Sequence, residues 1–169
     1  MRNIKELYKD RNLYSSPDMF SPPSERLPHV IRFELTKGCN WGKCTFCGGY
    51  DGVRFFKKSL HEYKEHVDEV WRRVGWRSRL ARSLGRAFIG GGNALLVGTE
   101  ELCKVIRYTV DQFAENTGEC PRRVSLYGRT KDILRHGKKG LVRLNHDAPL
   151  LIYWGIESGS FFRGVKIRK

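Results

Sequence analysis

The chain has 169 residues, of which 40% are hydrophobic, enough for one ordinary domain with its own core, which excludes wholesale disorder. No apolar run approaches the roughly 18 residues that a membrane-spanning helix needs, and the first ten residues lack the apolar stretch of a secretory signal. We therefore expect a cytoplasmic protein without membrane contact.

Basic residues outnumber acidic ones, with 32 Lys and Arg against 18 Asp and Glu and a formal charge of +14. This sign of charge favours a polyanionic partner such as RNA. The densest basic stretch contains Arg72, Arg73, Arg77, Arg79, Arg82 and Arg86. A solvated helix face and a nucleic-acid surface both account for it, so both interpretations stay open.

The first 29 residues are rich in proline and are predicted to form an extended arm before the α/β domain, which we place at residues 30–169. The prolines after Ser16 are Pro17, Pro22, Pro23 and Pro28. Residues 30–36 then alternate apolar and polar side chains, which predicts a first strand.

Three further strands alternate with helices along the rest of the chain. Ser59 and Glu62 form a capping box that opens a first helix, and Thr99 is predicted to cap a second. Strands are predicted at residues 86–90, 123–127 and 150–156, and a weaker helix at 133–144 is interrupted by Gly137 and Gly140. Strands separated by helices pair in parallel through right-handed crossovers, which predicts a partial (β/α) barrel of about four parallel strands with flanking helices.

The residues with unusual chemistry all follow the ends of these strands. Cysteines follow the first strand, glycines the second, Arg129 the third and Glu157 the fourth. Active sites of α/β barrels lie at the carboxyl ends of the strands, so this edge is the predicted site.

Three cysteines, Cys39, Cys44 and Cys47, fall within nine residues of one glycine-rich loop. Three thiolates leave a tetrahedral zinc site incomplete, and His61 and His66 lie too far along the next helix to be obvious fourth ligands. A cubane iron–sulfur cluster with three cysteine ligands keeps one iron open for another ligand, which favours a cluster over zinc or unligated thiols. The isolated Cys103 and Cys120 are interpreted as structural.

The loop resembles the cluster-binding loop of the radical S-adenosylmethionine superfamily, with an aromatic residue before the last cysteine. It reads Gly38-Cys39-Asn40-Trp41-Gly42-Lys43-Cys44-Thr45-Phe46-Cys47. The usual spacing in the superfamily is three residues and then two. The spacing of four and two is similar to that of some uncharacterised members with Trp or Tyr in the first gap.

Two later segments resemble cofactor-binding segments of the same superfamily. Gly91, Gly92 and Asn93 are similar to its Gly-Gly-Glu segment, with Asn93 in place of glutamate. Glu157 and Ser158 resemble a strand-four segment that contacts the cofactor, although a glutamate there could also cap the strand in solvent. The resemblance further implies that Phe46 packs near the adenine.

The resemblance implies a four-iron four-sulfur cluster held by Cys39, Cys44 and Cys47, with S-adenosylmethionine on the open iron. Reductive cleavage of that cofactor would give a 5′-deoxyadenosyl radical that abstracts hydrogen from an unknown substrate. A flavodoxin-like or ferredoxin-like protein would be the reductant.

The resemblance covers residues ~30 to 160, four of the six strand–helix steps usual for such a domain. We therefore expect a truncated or split protein, with a separate C-terminal half or self-association through the exposed fourth strand. An inactive remnant and a basic nucleic-acid-binding module with a structural zinc or iron site are the alternatives. In that module Trp71, Trp76 and Arg77 would stack on bases, although the helical spacing of Trp71 argues for the core.

Overall fold

The computed structural model describes residues 21–27, 30–42, 44, 49–50, 52–75 and 78–155, and its centre is a sheet of four parallel strands. The strands are β1 (Ile31–Glu34), β2 (Thr36–Lys37), β3 (Phe56–Lys57), β4 (Arg86–Gly90), β5 (Arg123–Arg129) and β6 (Leu150–Gly155). The helices are α1 (Leu60–Val74), α2 (Ser78–Leu84), α3 (Thr99–Thr117) and α4 (Thr130–Leu144). Short 3₁₀ turns span Pro23–Glu25 and Ala94–Leu96.

The strand order in the sheet follows the order in the chain, β1-β4-β5-β6, and every neighbouring pair is parallel. One apolar row crosses all four strands, because Phe33 is in register with Ile89, Ile89 with Leu126, and Leu126 with Ile152. This arrangement confirms the predicted mixed α/β fold with four parallel strands and flanking helices.

The apolar core lies on one face of the sheet, between the strands and the helices. Inward-facing residues of β1, β4 and β5 join residues of all four helices in a single buried cluster that includes Phe33, Ile89, Leu126, Val67, Ala81, Val105, Phe113 and Leu144. Strand residues of the opposite parity face the other way. Among them, Phe88 packs with Tyr127 and Tyr153 in a separate small cluster. The described helices therefore cover one face, as right-handed crossovers between successive neighbouring strands require.

Helix α1 begins and packs as its sequence predicts. The Ser59 N–H donates to Glu62 Oε2 at 2.7 Å, and the Glu62 N–H donates to Ser59 Oγ at 3.3 Å, which completes the capping box. Trp71 is 5% exposed and its ring contacts Phe33 and Phe113. The assignment of Trp71 to the core is confirmed.

Helix α3 begins differently from its prediction, because Gly98 is its N-cap and Thr99 is its first helical residue. The Thr99 hydroxyl lies 2.8 Å from His136 Nδ1, while His136 Nε2 lies 2.9 Å from the carbonyl oxygen of Leu95. A carbonyl can only accept, so Nε2 carries a proton and donates to Leu95, while Nδ1 shares a hydrogen bond with the Thr99 hydroxyl. The predicted Thr99 cap is wrong because a buried histidine uses its hydroxyl.

Helix α4 starts three residues before its predicted start and is kinked at Gly137, which has φ +59° and ψ 177°. The predicted interruption is confirmed there, whereas Gly140 stays helical and packs its Cα against Thr99. Two elements were not predicted: α2, which lies within the arginine-rich stretch, and the antiparallel pair β2–β3.

The segment 21–27 lies against the face of the sheet opposite the helices. Glu25 is fully buried, and its Oε1 accepts from Arg123 Nη2 at 2.7 Å, from Ser125 Oγ at 3.0 Å and from the Tyr153 hydroxyl at 2.6 Å. This part of the predicted arm is therefore tied to the sheet by its own buried carboxylate.

Strand β6 lies at one end of the described sheet, and apolar side chains stay exposed around it. Trp154 is 49% exposed, and Leu134 and Val142 on α4 are 74% and 65% exposed. Self-association at this edge remains a prediction. Among the described residues, no helix combines the length and the hydropathy needed to cross a membrane.

Candidate cofactor site at the carboxyl edge of the sheet

The cysteine loop starts where β1 and β2 end. Cys39 and Cys44 are both half-buried, and the Trp41 N–H donates to Cys39 Sγ at 3.4 Å. Phe46 and Cys47 lie outside the described residues. The structure thus describes two of the three predicted cluster ligands, at the edge of the sheet that the sequence predicted.

The glycine turn after β4 is in direct backbone contact with this loop. The Gly92 N–H donates to the carbonyl oxygen of Gly38 at 3.1 Å. A Cβ on Gly92 would lie 2.2 Å from that oxygen and 2.9 Å from Cys39 Cα, and a Cβ on Gly91 would lie 1.8 Å from the carbonyl oxygen of Thr36. Only glycine permits so close an approach, and Gly91 also has φ +109°. The two predicted segments are therefore brought together by the absence of side chains.

Asn93 follows the glycines and is fully buried. Its Nδ2 donates to Asp132 Oδ2 at 2.6 Å and lies 3.4 Å from Asn40 Oδ1 in the cysteine loop. Asn93 Oδ1 has no hydrogen-bond partner among the described residues, and neither has Thr36 Oγ1, which packs against Gly91. Two buried polar atoms next to the glycine turn are thus left for a ligand or for water.

Asp132 is a site residue that the sequence analysis did not identify. It is 2% exposed, and its Oδ2 accepts from Arg129 Nε at 3.0 Å, while Arg135 Nη2 lies 3.6 Å from its Oδ1. Burial opposes the charge, but the hydrogen bonds from Asn93 and Arg129 hold the pKa of Asp132 below its usual value. The available signal was an acidic residue in the first turn of a helix, three residues after Arg129, at the carboxyl edge of the sheet.

The remaining predicted site residues, Glu157 and Ser158, lie outside the described residues. Of the two histidines considered as zinc ligands, His61 is exposed and lies 3.5 Å from Glu65, and His66 Nε2 accepts from the Glu34 N–H at 2.8 Å. Within the described part of the chain, no group of three His, Cys, Asp or Glu side chains converges as metal ligands would. Cys47 is not among the residues that this statement covers.

Several residues of the arginine-rich stretch form ion pairs with neighbouring carboxylates. Arg72 and Arg73 both pair with Glu69, and Arg82 pairs with Glu119. Because Trp71 is buried, it cannot stack on a base. Trp76 and Arg77 lie outside the described residues.

No protein-family model, curated protein or solved structure matches this chain. The function therefore has to be argued from the residues at the carboxyl edge. Half-buried thiols in a loop with Gly38 and Gly42 at positive φ, beside buried polar atoms without partners, fit a thiolate-ligated cluster with a polar ligand next to it.

Proposed function

We propose that this chain is a radical S-adenosylmethionine enzyme, or a part of one. Cys39, Cys44 and Cys47 would hold a four-iron four-sulfur cluster, and S-adenosylmethionine would bind beside it. The proposal rests on the resemblance of the cysteine loop and of the segments after the second and fourth strands.

One observation carries the proposal: the contact between the cysteine loop and the glycine turn. These two segments are over 50 residues apart in the chain, yet the Gly92 N–H bonds to the carbonyl of Gly38, next to Cys39. A structural zinc loop would need no such contact with a second strand end. A site that binds a cluster and a cofactor side by side needs both segments at one edge.

The sheet supports the proposal through its topology. Successive strands that are neighbours, with the described helices on one face, are the pattern of a (β/α) barrel, whereas a doubly wound sheet carries helices on both faces. We propose that β1, β4, β5 and β6 are consecutive strands of such a barrel. A separate C-terminal half or a second copy of the chain would complete its wall.

The residues take different roles in this proposal. The lack of a Cβ on Gly91 and Gly92 lets the backbone of Thr36 and Gly38 pack against the glycine turn, which would hold the cysteine loop beside the cofactor. Asn93 offers a buried acceptor, and Glu157 and Ser158 would contact the cofactor after the fourth strand. Phe46 would pack near its adenine.

A cluster held by Cys39, Cys44 and Cys47 would supply, when reduced, the electron for cleavage of S-adenosylmethionine and so for hydrogen abstraction from the substrate. The chain's own contribution is to orient the cofactor and to keep water from it. The substrate stays unassigned, with RNA as a candidate because of the charge of +14, and a flavodoxin-like or ferredoxin-like protein as the candidate reductant.

The test is electron paramagnetic resonance of anaerobically reconstituted, reduced protein with and without S-adenosylmethionine. We expect a four-iron signal that changes when the cofactor is added. Cys39→Ser should lose the signal, whereas Cys120→Ser should keep it, because Cys120 is exposed in the loop before β5, away from the cluster ligands.

Two results would count against the proposal. Bound zinc without iron would favour the alternative, a structural metal site in a basic nucleic-acid-binding module. A cluster signal that does not change when S-adenosylmethionine is added would indicate an iron–sulfur protein of another kind.

A further inference from the structure

The amide of Asn93 is held in one orientation by its neighbours. An ionised carboxylate only accepts hydrogen bonds, so the Asn93 atom that lies 2.6 Å from Asp132 Oδ2 must be the nitrogen. Asn40 Oδ1, a second acceptor, lies 3.4 Å from the same nitrogen. The amide oxygen is therefore left to accept from something else.

Asp132 is itself held by two arginines. Arg129 Nε donates to the same carboxylate oxygen at 3.0 Å, and Arg135 lies 3.6 Å from the other oxygen while its Nη2 also donates to the carbonyl of Leu95 at 3.1 Å. All three side chains lie at the start of α4, so the carboxylate has little freedom to turn away. The hydrogen bonds from Arg129 to Asp132 and from Asn93 to Asp132 thus fix the orientation of the Asn93 amide and leave its oxygen unused.

The unused oxygen is buried and is one of two polar atoms on neighbouring segments that lack a described partner. Asn93 is fully buried, its Oδ1 has no partner among the described residues, and the neighbouring Thr36 Oγ1 has none either. A buried acceptor without a donor is unfavourable, so a ligand with an N–H group would compensate it. Asn93 directly follows the glycine turn, and it reaches the cysteine loop through Asn40, whose Oδ1 lies 3.4 Å from Asn93 Nδ2.

We propose that Asp132 is a positioning residue for S-adenosylmethionine: it orients Asn93 so that Oδ1 accepts a hydrogen bond from the ammonium group of the bound cofactor. This inference rests on the proposed function. It also accounts for an amide at position 93, because a carboxylate there would face the carboxylate of Asp132 at hydrogen-bond distance.

The experiment compares dissociation constants for two ligands by equilibrium dialysis of the reconstituted protein. S-adenosylmethionine carries the ammonium group, and 5′-methylthioadenosine lacks it. Asp132→Ala removes the oxygen that accepts from Asn93 Nδ2, so the Asn93 amide can turn over, and binding of S-adenosylmethionine should weaken by about tenfold to a hundredfold, the range for a hydrogen bond to a charged group. Binding of 5′-methylthioadenosine should change by less than about threefold.

The matched control is Asp147→Ala, which removes the same charge from a surface pair with Arg107 and should leave both constants unchanged. The second variant, Asn93→Ala, removes the amide oxygen itself and should weaken binding of S-adenosylmethionine by the same factor while binding of 5′-methylthioadenosine changes by less than about threefold. This variant decides the matter if Asp132→Ala does not fold.

Equal losses for the two ligands in Asp132→Ala would overturn the inference, because a general distortion would cause them. Unchanged binding of S-adenosylmethionine in Asp132→Ala would overturn it while leaving the proposed function intact. A wild-type protein that does not bind S-adenosylmethionine would overturn both.

Discussion

Two buried carboxylates, Glu25 and Asp132, stand in different regions of the same sheet and have different partners. Glu25 lies on the face opposite the helices, where one oxygen accepts from Arg123, Ser125 and Tyr153. Asp132 lies at the carboxyl edge and pairs with two arginines of its own neighbourhood and with the distant Asn93.

The difference lies in what surrounds the unsatisfied atoms. Each region has a buried acceptor without a described partner, Oε2 of Glu25 and Oδ1 of Asn93. Around Glu25 the partners are side chains that join chain segments about 100 residues apart, which is a structural task. Around Asn93 lie the glycine turn and Asn40 of the cysteine loop, the two segments that we propose to hold a cofactor. A buried carboxylate indicates a ligand site only when its surroundings leave room for one.

The largest effect should come from removing the structural carboxylate. Glu25→Ala leaves Arg123 without its buried partner, and breaking such a pair should lower the free energy of unfolding by about 4 kcal/mol. Urea denaturation monitored by circular dichroism measures it. Glu119→Ala removes the partner of Arg82 on the surface and should have no measurable effect. Equal losses of stability in the two variants would show that the bonds of Glu25 do not stabilise the packing of segment 21–27 on the sheet.

A second substitution attacks the carboxyl edge. The Cβ introduced by Gly92→Ala would lie 2.2 Å from the carbonyl oxygen of Gly38, so the cysteine loop must move. This displacement should lower the free energy of unfolding by about 3 kcal/mol. Iron per chain after reconstitution should fall with it. Gly98→Ala is the control, because nothing lies within 4 Å of a Cβ there. Full iron content in Gly92→Ala would show that the cysteine loop does not need its contact with the glycine turn to bind a cluster.

The smallest effect should appear on acidification. Burial, with the charges of Lys58 and Arg73, lowers the pKa of His66 to about 4, although Glu34 opposes the shift. The unfolded chain therefore binds a proton near pH 6.5 that the folded chain takes up only near pH 4. Stability is full above pH 6.5 and should fall by on the order of 2 kcal/mol towards pH 4.

The variant His66→Gln removes this titrating side chain. The free energy of unfolding of the variant should therefore depend less on pH between pH 6.5 and pH 4. Thermal melts from pH 7 to pH 4 give the comparison. An unchanged slope in the variant would assign the acid sensitivity to other groups.

Sequence reasoning succeeded where the signal was local. Helix α1 could be predicted because Ser59, Glu62 and the spacing of its apolar residues lie within one segment. The Thr99 cap failed because His136, 37 residues away, takes the hydroxyl. Asp132 was missed for the same reason, since its role depends on Asn93, 39 residues away. The edge that carries the site was predictable from strand ends, whereas its hydrogen bonds were not.

The sequential strand order also sets the order in which contacts can form. Each of β4, β5 and β6 adds to a strand that precedes it in the chain, so the sheet can grow one unit at a time by contacts of moderate sequence separation. The hydrogen bond between Tyr153 and Glu25 spans 128 residues and cannot close before β6 is in place. The bonds from Arg123 and Ser125 can form once β5 has joined the sheet, so Glu25 can first attach segment 21–27 to β5 and then add β6 to the same carboxylate oxygen.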